Sequence, residues 1–255
     1  MGNRDSYEHG TFSWTDLATP DAQASKDFYG ALFSWDYEDN PIPGDGVYVM
    51  ARIDGRSAAA MFETTDRHPA WASYVTVDDL DGTTARAGEL GANVLAEPFD
   101  VMDVGRMSTI QDPTGAVLCL WEPKTSIGAE IVNGPGALSL NQLNTSDPEA
   151  AERFYGELFG WRFDFVGTEE TPYWGIFRGD VLNGGMMPLP AGPPMPSHWL
   201  AYFGTEDVDA AAERIRASGG TLMVEPTDVP PSGRILVAQD PQGAIFALFA
   251  GRFDD

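Results

Sequence analysis

The chain has 255 residues, of which 43% are hydrophobic, so it is long enough for two modest domains with a sizeable core. Its 39 acidic and 15 basic residues give a net charge of −24, which disfavours nucleic acid and anionic membranes as partners. The single cysteine, Cys119, excludes an internal disulfide, no apolar run is long enough to span a membrane, and the polar start "MGNRDSYEHG" does not resemble a signal peptide. We therefore expect a cytoplasmic protein.

The first segment with a clear period is "TFSWTDL" (11–17), whose alternation predicts a half-buried strand with Phe12, Trp14 and Asp16 on one face. Asp21 is a predicted helix N-cap, and the apolar residues that follow it recur at helical spacing. Strands are predicted at 47–53 and about 57–63. This half of the pattern is a strand, a helix and further strands.

A second round begins with the strand "WASYVTV" (71–77) and continues with a helix that starts near Asp78 or Asp79 and stops at Gly91. Strands are predicted near 93–96, 106–111 and 116–122. Before the last strand, "DPTG" (112–115) is typical of a tight turn. The first part of the chain thus contains the order strand-helix-strand-strand-strand twice.

The whole pattern then returns. "DFYGALFSW" (27–35) recurs as "RFYGELFGW" (153–161), and "QDPTGA" (111–116) recurs as "QDPQGA" (239–244). This period is too long for a solenoid repeat and indicates two copies of one module. We predict module 1 at 1–123, a connector at 124–135 and module 2 at 136–255.

This order of elements, with "FYG.LF.W" after the first strand and "DP.GA" before the last, resembles the vicinal oxygen chelate superfamily. The superfamily includes glyoxalases, bleomycin-resistance proteins and extradiol dioxygenases, and two-module members of about this size are often labelled hydroxylases. The resemblance implies an α+β fold with four tandem βαβββ units, paired into two open, eight-stranded, cup-like barrels that hold the ligand.

Enzymes of this superfamily usually bind a divalent metal through His, Glu or Gln on the first and last strands of a unit. The resemblance assigns these positions to Trp14, Ala72 and Cys119 in module 1 and to Leu140, Leu200 and Ala247 in module 2. Of these side chains only the Cys119 thiol is a metal ligand. A shift of one residue in the alignment does not supply the missing ligands. We expect no metal and no other cofactor.

The family's inward face, together with aromatic residues that recur in both modules, predicts a set of cup-lining residues for an aromatic or polycyclic ligand. For any single aromatic residue, burial in the core is the simpler explanation. The predicted ligand-binding set is Trp14, Asp16, Trp71, Tyr74, Arg106, Cys119, Gln142, Trp199, Tyr202 and Arg234.

Two residues are candidates for catalysis. Asp16 facing Arg106 is either a structural ion pair or a general base with a raised pKa, and Gln142 near Arg234 is its counterpart in module 2. Cys119 is either a nucleophile or a buried, inert thiol.

Three functions follow from these patterns. The first is a metal-independent protein that binds, and thereby sequesters, an aromatic small molecule. The second is an enzyme of the same fold, a lyase, an isomerase or a hydroxylase-type oxidoreductase. The third is a protein-interaction module, which the retained inward aromatics disfavour. We expect a small-molecule ligand and either a monomer or a homodimer.

Overall fold

The computed structural model describes residues 2–44, 46–189 and 195–252, and these residues form two eight-stranded sheets, one two-stranded sheet and four helices. No helix in these ranges is long and apolar enough to cross a membrane. In chain order the elements are β1 (Gly2–Asn3), β2 (Thr11–Thr19), α1 (Ala22–Phe33), β3 (Asp36–Ile42), β4 (Gly46–Ile53), β5 (Arg56–Glu63), β6 (Ala70–Thr76), α2 (Leu80–Glu89), β7 (Asn93–Val101), β8 (Gly105–Gln111), β9 (Val117–Pro123), β10 (Ile131–Val132), β11 (Leu138–Thr145), α3 (Pro148–Phe159), β12 (Arg162–Phe165), β13 (Trp174–Arg178), β14 (Val181–Pro188), β15 (His198–Gly204), α4 (Val208–Ala217), β16 (Thr221–Val229), β17 (Gly233–Gln239) and β18 (Ile245–Gly251).

The two large sheets have the same strand order. The first runs β3-β4-β5-β2-β6-β9-β8-β7, and the second runs β12-β13-β14-β11-β15-β18-β17-β16. In each sheet an antiparallel central pair joins two βαβββ units, because β2 pairs with β6 and β11 pairs with β15. The sheets are not closed. The predicted α+β fold of four βαβββ units in two open cups is confirmed.

Aspartate residues begin all four helices. Asp21 and Asp147 accept hydrogen bonds from the backbone N–H groups of Ala24 and Ala150, at 2.9 and 3.0 Å. Asp79 and Asp207 cap α2 and α4 in the same way. An N-cap carboxylate satisfies an otherwise unpaired backbone donor. For α1 and α2 the sequence predicted these starts, at Asp21 and near Asp78 or Asp79.

Two details of module 1 differ from the sequence prediction. A β-bulge between Phe12 and Trp14 breaks the alternation of β2, so Phe12 lies on the opposite face from Trp14 and Asp16. The Phe12 ring instead packs at 4.9 Å from the ring of Trp199, in the core. The edge strand β3 has no clear apolar alternation, and the sequence did not predict where it begins and ends.

The two largest hydrophobic cores are shared between the two halves of the chain. One core combines α1 residues such as Phe28 and Leu32 with Ile215 of α4 and Phe246 of β18. The other combines the second unit of the first sheet with α3 and the first unit of the second sheet. Helix α1 accordingly packs near α4, and α2 packs near α3. The amphipathic helices of one half therefore also pack on the other half of the chain.

The repeated motif supplies hydrogen bonds across this shared interface. The Tyr29 hydroxyl donates to Asp240 Oδ2 at 2.9 Å and accepts from the Trp71 indole N–H at 2.9 Å. The same arrangement recurs in the other direction with Tyr155, Asp112 and Trp199. Asp240 is held in place because its Oδ1 accepts three backbone N–H groups of its own turn. The "FYG" and "DP.G" motifs thus meet across the two halves.

The tryptophan that ends the motif makes a second cross-contact. Trp35 Nε1 donates to the Gly136 carbonyl at 2.9 Å, and Trp161 Nε1 donates to the Gly10 carbonyl at 2.8 Å. Each acceptor precedes the first strand of the other half. The doubled segment therefore ties the two halves together reciprocally.

Replacing the motif tyrosine tests this coupling. We expect Tyr29→Phe to lower the free energy of unfolding by about 1–3 kcal/mol, because Asp240 Oδ2 and the Trp71 N–H both lose their partner while buried. Tyr155→Phe should lower the free energy of unfolding by a similar amount, because Tyr155 makes the equivalent bonds with Asp112 and Trp199. Tyr37→Phe is the control, because within the described ranges the Tyr37 hydroxyl bonds only the Lys26 carbonyl, and its side chain is half-buried. Urea denaturation measures all three; a Tyr29→Phe loss no larger than that of Tyr37→Phe would contradict the coupling.

Candidate functional site

Alternation along the strands decides which side chains face each cup. Leu17 and Trp71 point toward the helices and the shared core. Trp14, Asp16 and Tyr74 occupy alternate positions and therefore face the helix-free side of the first sheet. This side is the interior of the first cup, which we call cup 1; the matching side of the second sheet is cup 2.

A chain of hydrogen-bonded side chains lies at the base of cup 1. The Trp14 indole N–H donates to the Tyr48 hydroxyl at 3.0 Å, and that hydroxyl donates to Asp16 Oδ2 at 2.9 Å. The Tyr74 hydroxyl donates to the same Oδ2 at 2.9 Å. Tyr48 reaches Asp16 across β5, where the small side chain of Ala60 leaves room. Two phenols and one carboxyl therefore form a compact cluster.

The Asp16 carboxyl is buried and only half satisfied. It is 3% exposed, and no donor among the described residues reaches its Oδ1. Burial raises the pKa of Asp16, and the hydrogen bonds from Tyr74 and Tyr48 oppose that rise. A buried oxygen without a partner is costly, so Oδ1 is a place where a ligand group would be stabilising.

Cys119 lies beside this cluster. It is the Cα partner of Tyr74 in the parallel pair β6/β9, and its Sγ is 3.7 Å from Thr109 Oγ1. Burial, and then the negative charge of Asp16, raise the pKa of the thiol to about 12. The reactive thiolate is therefore scarce at neutral pH, which does not suit a nucleophile.

Apolar side chains surround the cluster. Trp121 lies against Gly105, whose place a side chain could not occupy without meeting the indole ring. The partly buried members of this lining are Tyr48, Met50, Ala72, Val101, Val104 and Met107. The inner face of cup 1 therefore carries aromatic and methionine side chains packed around one carboxyl group.

Cup 2 has the same plan with different chemistry. By strand register Leu140, Gln142 and Ala247 stand where cup 1 has Trp14, Asp16 and Cys119. The Tyr202 hydroxyl donates to Gln142 Oε1 at 3.1 Å, and Gln142 Nε2 donates to Asn144 Oδ1 at 2.9 Å. The base of cup 2 therefore carries a satisfied, neutral amide chain.

Tyr173 is the counterpart of Tyr48, but it lies directly over Gly185. A Cβ atom at Gly185 would be 1.9 Å from the Tyr173 hydroxyl, so this ring position requires glycine. Burial raises the pKa of Tyr173 to about 12. Neither tyrosine was predicted from the sequence, although each occurs on or just before the strand that precedes the last strand of its unit.

Four predicted cup residues lie elsewhere. Trp71 and Trp199 are wrong assignments: they pack in the shared cores and bond to Tyr29 and Tyr155. Trp71 is three positions from Tyr74, so strand alternation puts the two on opposite faces. The predicted pairs of Arg106 with Asp16 and of Arg234 with Gln142 are also wrong. Both arginines lie on the helix side of their strands and bond to Asp81 and Asp209, the first-turn acids of α2 and α4.

The remaining predicted residues do face the cups. They are Trp14, Asp16, Tyr74 and Cys119 in cup 1 and Gln142 and Tyr202 in cup 2.

The donor set of cup 1 does not fit a divalent metal. Its only carboxyl uses Oδ2 for two tyrosine hydroxyls, and its thiol is held in the protonated form. No group of three or more His, Cys, Asp or Glu side chains with metal-binding geometry occurs in the described ranges. Zinc, iron and manganese sites in proteins need three or more such ligands.

Two open cups, each made from paired βαβββ units, define the class of fold. Residues 14–121 match the Glyoxalase-like domain model, and residues 137–248 match the model of the Glyoxalase/Bleomycin resistance protein/Dioxygenase superfamily. The chain belongs to this superfamily, as its resemblance to the vicinal oxygen chelate proteins predicted.

Full-length relatives support the same assignment. "Putative glyoxylase CFP32" of Mycobacterium tuberculosis is 40% identical over 255 residues, covering 97% of each chain. "Anthracycline biosynthesis protein DnrV" of Streptomyces peucetius is 34% identical, covering 94% of this chain and 92% of the relative.

Solved structures share the fold at low sequence identity. The 2,3-dioxygenase LapB from Pseudomonas sp. KL28 superposes with a TM-score of 0.68 at 16% identity, covering 98% of this chain and 96% of the other. The Mn(II)-bound glyoxalase from Novosphingobium aromaticivorans gives 0.65 at 15% identity, covering 94% and 81%.

Proposed function

We propose that the protein binds an aromatic or polycyclic small molecule in cup 1 without a metal ion, and sequesters it. The observation that carries this proposal is the buried Asp16 carboxyl, whose Oδ1 has no donor among the described residues while aromatic and methionine side chains surround it. Ligand sites typically combine such an apolar lining with a few convergent polar groups.

The lining suits flat, polarisable rings. Tyr48 and Trp14 supply aromatic surface, and Met50 and Met107 adapt to irregular shapes. The polar cluster would orient the ligand by one hydrogen bond. The likeness to a protein of anthracycline biosynthesis supports a fused-ring compound as the ligand class.

An enzyme of the same fold, a glyoxalase-like lyase or isomerase or a hydroxylase-type oxidoreductase, is the second candidate. Asp16, whose pKa is raised by burial, would serve as a general acid or base on a bound carbonyl compound. The likeness to a protein described as a glyoxylase supports this reading. The first function is preferred because burial raises the pKa values of the two phenols beside Asp16 well above their usual range, so neither phenol suits the role of a second acid or base.

Metal content separates this proposal from metal-dependent chemistry. We expect protein purified without chelators to carry far less than one equivalent of iron, zinc, manganese or nickel per chain, because the donor set of cup 1 is poor. Elemental analysis by mass spectrometry measures this, and native mass spectrometry of the same sample reveals a retained ligand. One reproducible equivalent of a transition metal that is lost in Asp16→Asn would contradict the proposal.

A further inference from the structure

The loop between β5 and β6 holds an exposed arginine, Arg67, that lies over an aromatic ring. The Arg67 guanidinium lies 4.9 Å from the centre of the Phe62 ring, and its side chain is exposed. Within the described residues Arg67 makes no ion pair and no hydrogen bond, whereas many other basic side chains of this acidic chain are paired, as Lys26 and Arg52 are. Arg153 and Arg214 also lack an ion pair within the described residues, and Arg67 differs from them because its guanidinium lies over the ring of Phe62.

Arg67 is connected to the base of cup 1 by a stack of rings. Phe62 stacks on Tyr48, with ring centres 6.2 Å apart and planes inclined by 22°. Tyr48 in turn donates its hydroxyl proton to Asp16. The positive charge of Arg67 lowers the pKa values of Asp16 and Cys119, opposing the effect of burial, so its field reaches the base of the cup. The order from rim to base is therefore cation, aromatic rings, carboxyl.

The two oxygens of Asp16 have different roles. Oδ2 accepts from both Tyr48 and Tyr74, which fixes it as an acceptor. When the carboxyl is protonated, its proton must therefore be on Oδ1, the oxygen without a partner in the described residues. Burial favours this protonated form. In that form Oδ1 is a buried hydrogen-bond donor without an acceptor among the described residues.

We infer that cup 1 takes a planar aromatic carbonyl compound that also carries an acidic group, with its ring carbonyl accepting from Asp16 Oδ1 and its anion meeting Arg67 at the rim. This inference rests on the proposed function and names the ligand class of that site. The ring lies along Tyr48 and Met50, between the two polar ends. Arginine recognises carboxylates through paired N–H donors, and a buried donor rejects a ligand that leaves it unpaired.

A matched pair of probes tests the rim. Anthraquinone-2-carboxylate and anthraquinone-2-carboxamide have the same rings and carbonyls and differ in charge. By calorimetric titration we expect the carboxylate to bind about fivefold more tightly. Arg67→Met, which keeps an apolar cover on Phe62, should reduce carboxylate affinity to that of the carboxamide and leave the carboxamide unchanged. Arg153→Met is the control, because Arg153 is an exposed arginine on α3, and it should change neither.

Two variants at Asp16 test the base of the cup. Asp16→Asn keeps an acceptor for the two tyrosines and replaces the Oδ1 donor with an N–H, so binding of both probes should stay within about threefold of wild type. Asp16→Ala should weaken both probes at least tenfold. In wild-type protein the affinity should fall as the pH rises through the Asp16 pKa, and in Asp16→Asn this dependence should vanish.

The outcomes distinguish a failure of the proposed function from a failure of the inferred ligand class. If neither probe binds the wild-type protein, the proposed function fails for this ligand class and the inference fails with it. If both probes bind equally well and Arg67→Met is without effect, the proposed function stands and the role of Arg67 is refuted. If Asp16→Asn abolishes binding as fully as Asp16→Ala does, the ligand donates to an ionised Asp16 and the carbonyl assignment is refuted.

Discussion

Residues 1–123 expressed alone should not form a stable monomer. Four large side chains, Phe28, Tyr29, Trp35 and Trp71, are buried in a core that residues of the other half complete. Exposing each of them costs about 1.5–3 kcal/mol, and the sum is comparable with the whole stability of a typical domain. We therefore expect aggregation, or a dimer in which a second copy of 1–123 replaces the missing half.

Sedimentation and urea denaturation measure this result, with the full chain as the reference. The inter-half hydrogen bonds from Tyr29 to Asp240 and from Trp35 to Gly136 would be lost in the fragment. A monomeric fragment that unfolds cooperatively with the free energy of the whole chain would show that the modules are independent, and it would refute the shared-core interpretation.

The two cups should bind an aromatic ligand unequally. Trp14→Ala should weaken binding of a neutral anthraquinone by about fivefold to over a hundredfold, because it removes an indole from cup 1 and the N–H that holds Tyr48 on Asp16. Leu140→Ala, at the matching position of cup 2, should have little effect. Cup 2 carries a neutral Gln142, and Tyr173 covers Gly185 at its base.

Thermal melts of both variants serve as the control, because Trp14 is itself largely buried. Comparing Trp14→Phe, which retains a ring but not the N–H, separates loss of packing from loss of the hydrogen bond. Equal losses from Trp14→Ala and Leu140→Ala, or a loss only from Leu140→Ala, would contradict the asymmetry.

The fold could be predicted because its determinants are local and occur twice. The aspartate caps, the helical spacing after them and the "DP.G" turns each fix one element, and the repeat confirms them by recurrence. The face of Asp16 also follows from alternation, and the structure agrees. Phe12 was placed on the wrong face, because a bulge at the next residue reverses the face and leaves no reliable mark in the sequence.

The composition of the site was only partly predictable, because its members come from different strands. Tyr48 reaches Asp16 from β4 across β5, a pairing set by strand order that alternation does not reveal. The Trp71 error has a different cause: alternation already puts Trp71 and Tyr74 on opposite faces of one strand, so only one of them could line the cup. Arg106 was misassigned because its partner, Asp81, lies on a helix, at a separation that strand patterns do not encode.

The meaning of the doubled "FYG.LF.W" segment became clear only from contacts between the two halves. Its tyrosine and tryptophan bond across to the opposite half, in both directions. A repeat within one chain can therefore preserve an interface as well as a fold, and here that interface holds two chemically different cups back to back with the shared core between them.

A crystal structure of the full chain grown with anthraquinone-2-carboxylate, without chelator and without added metal, tests the central claim most directly. The account predicts the ring system in cup 1, a ring carbonyl within hydrogen-bond distance of Asp16 Oδ1, and no metal ion between ligand and protein. A ligand bound through a metal ion, or bound outside cup 1 while cup 1 holds only water, would contradict it.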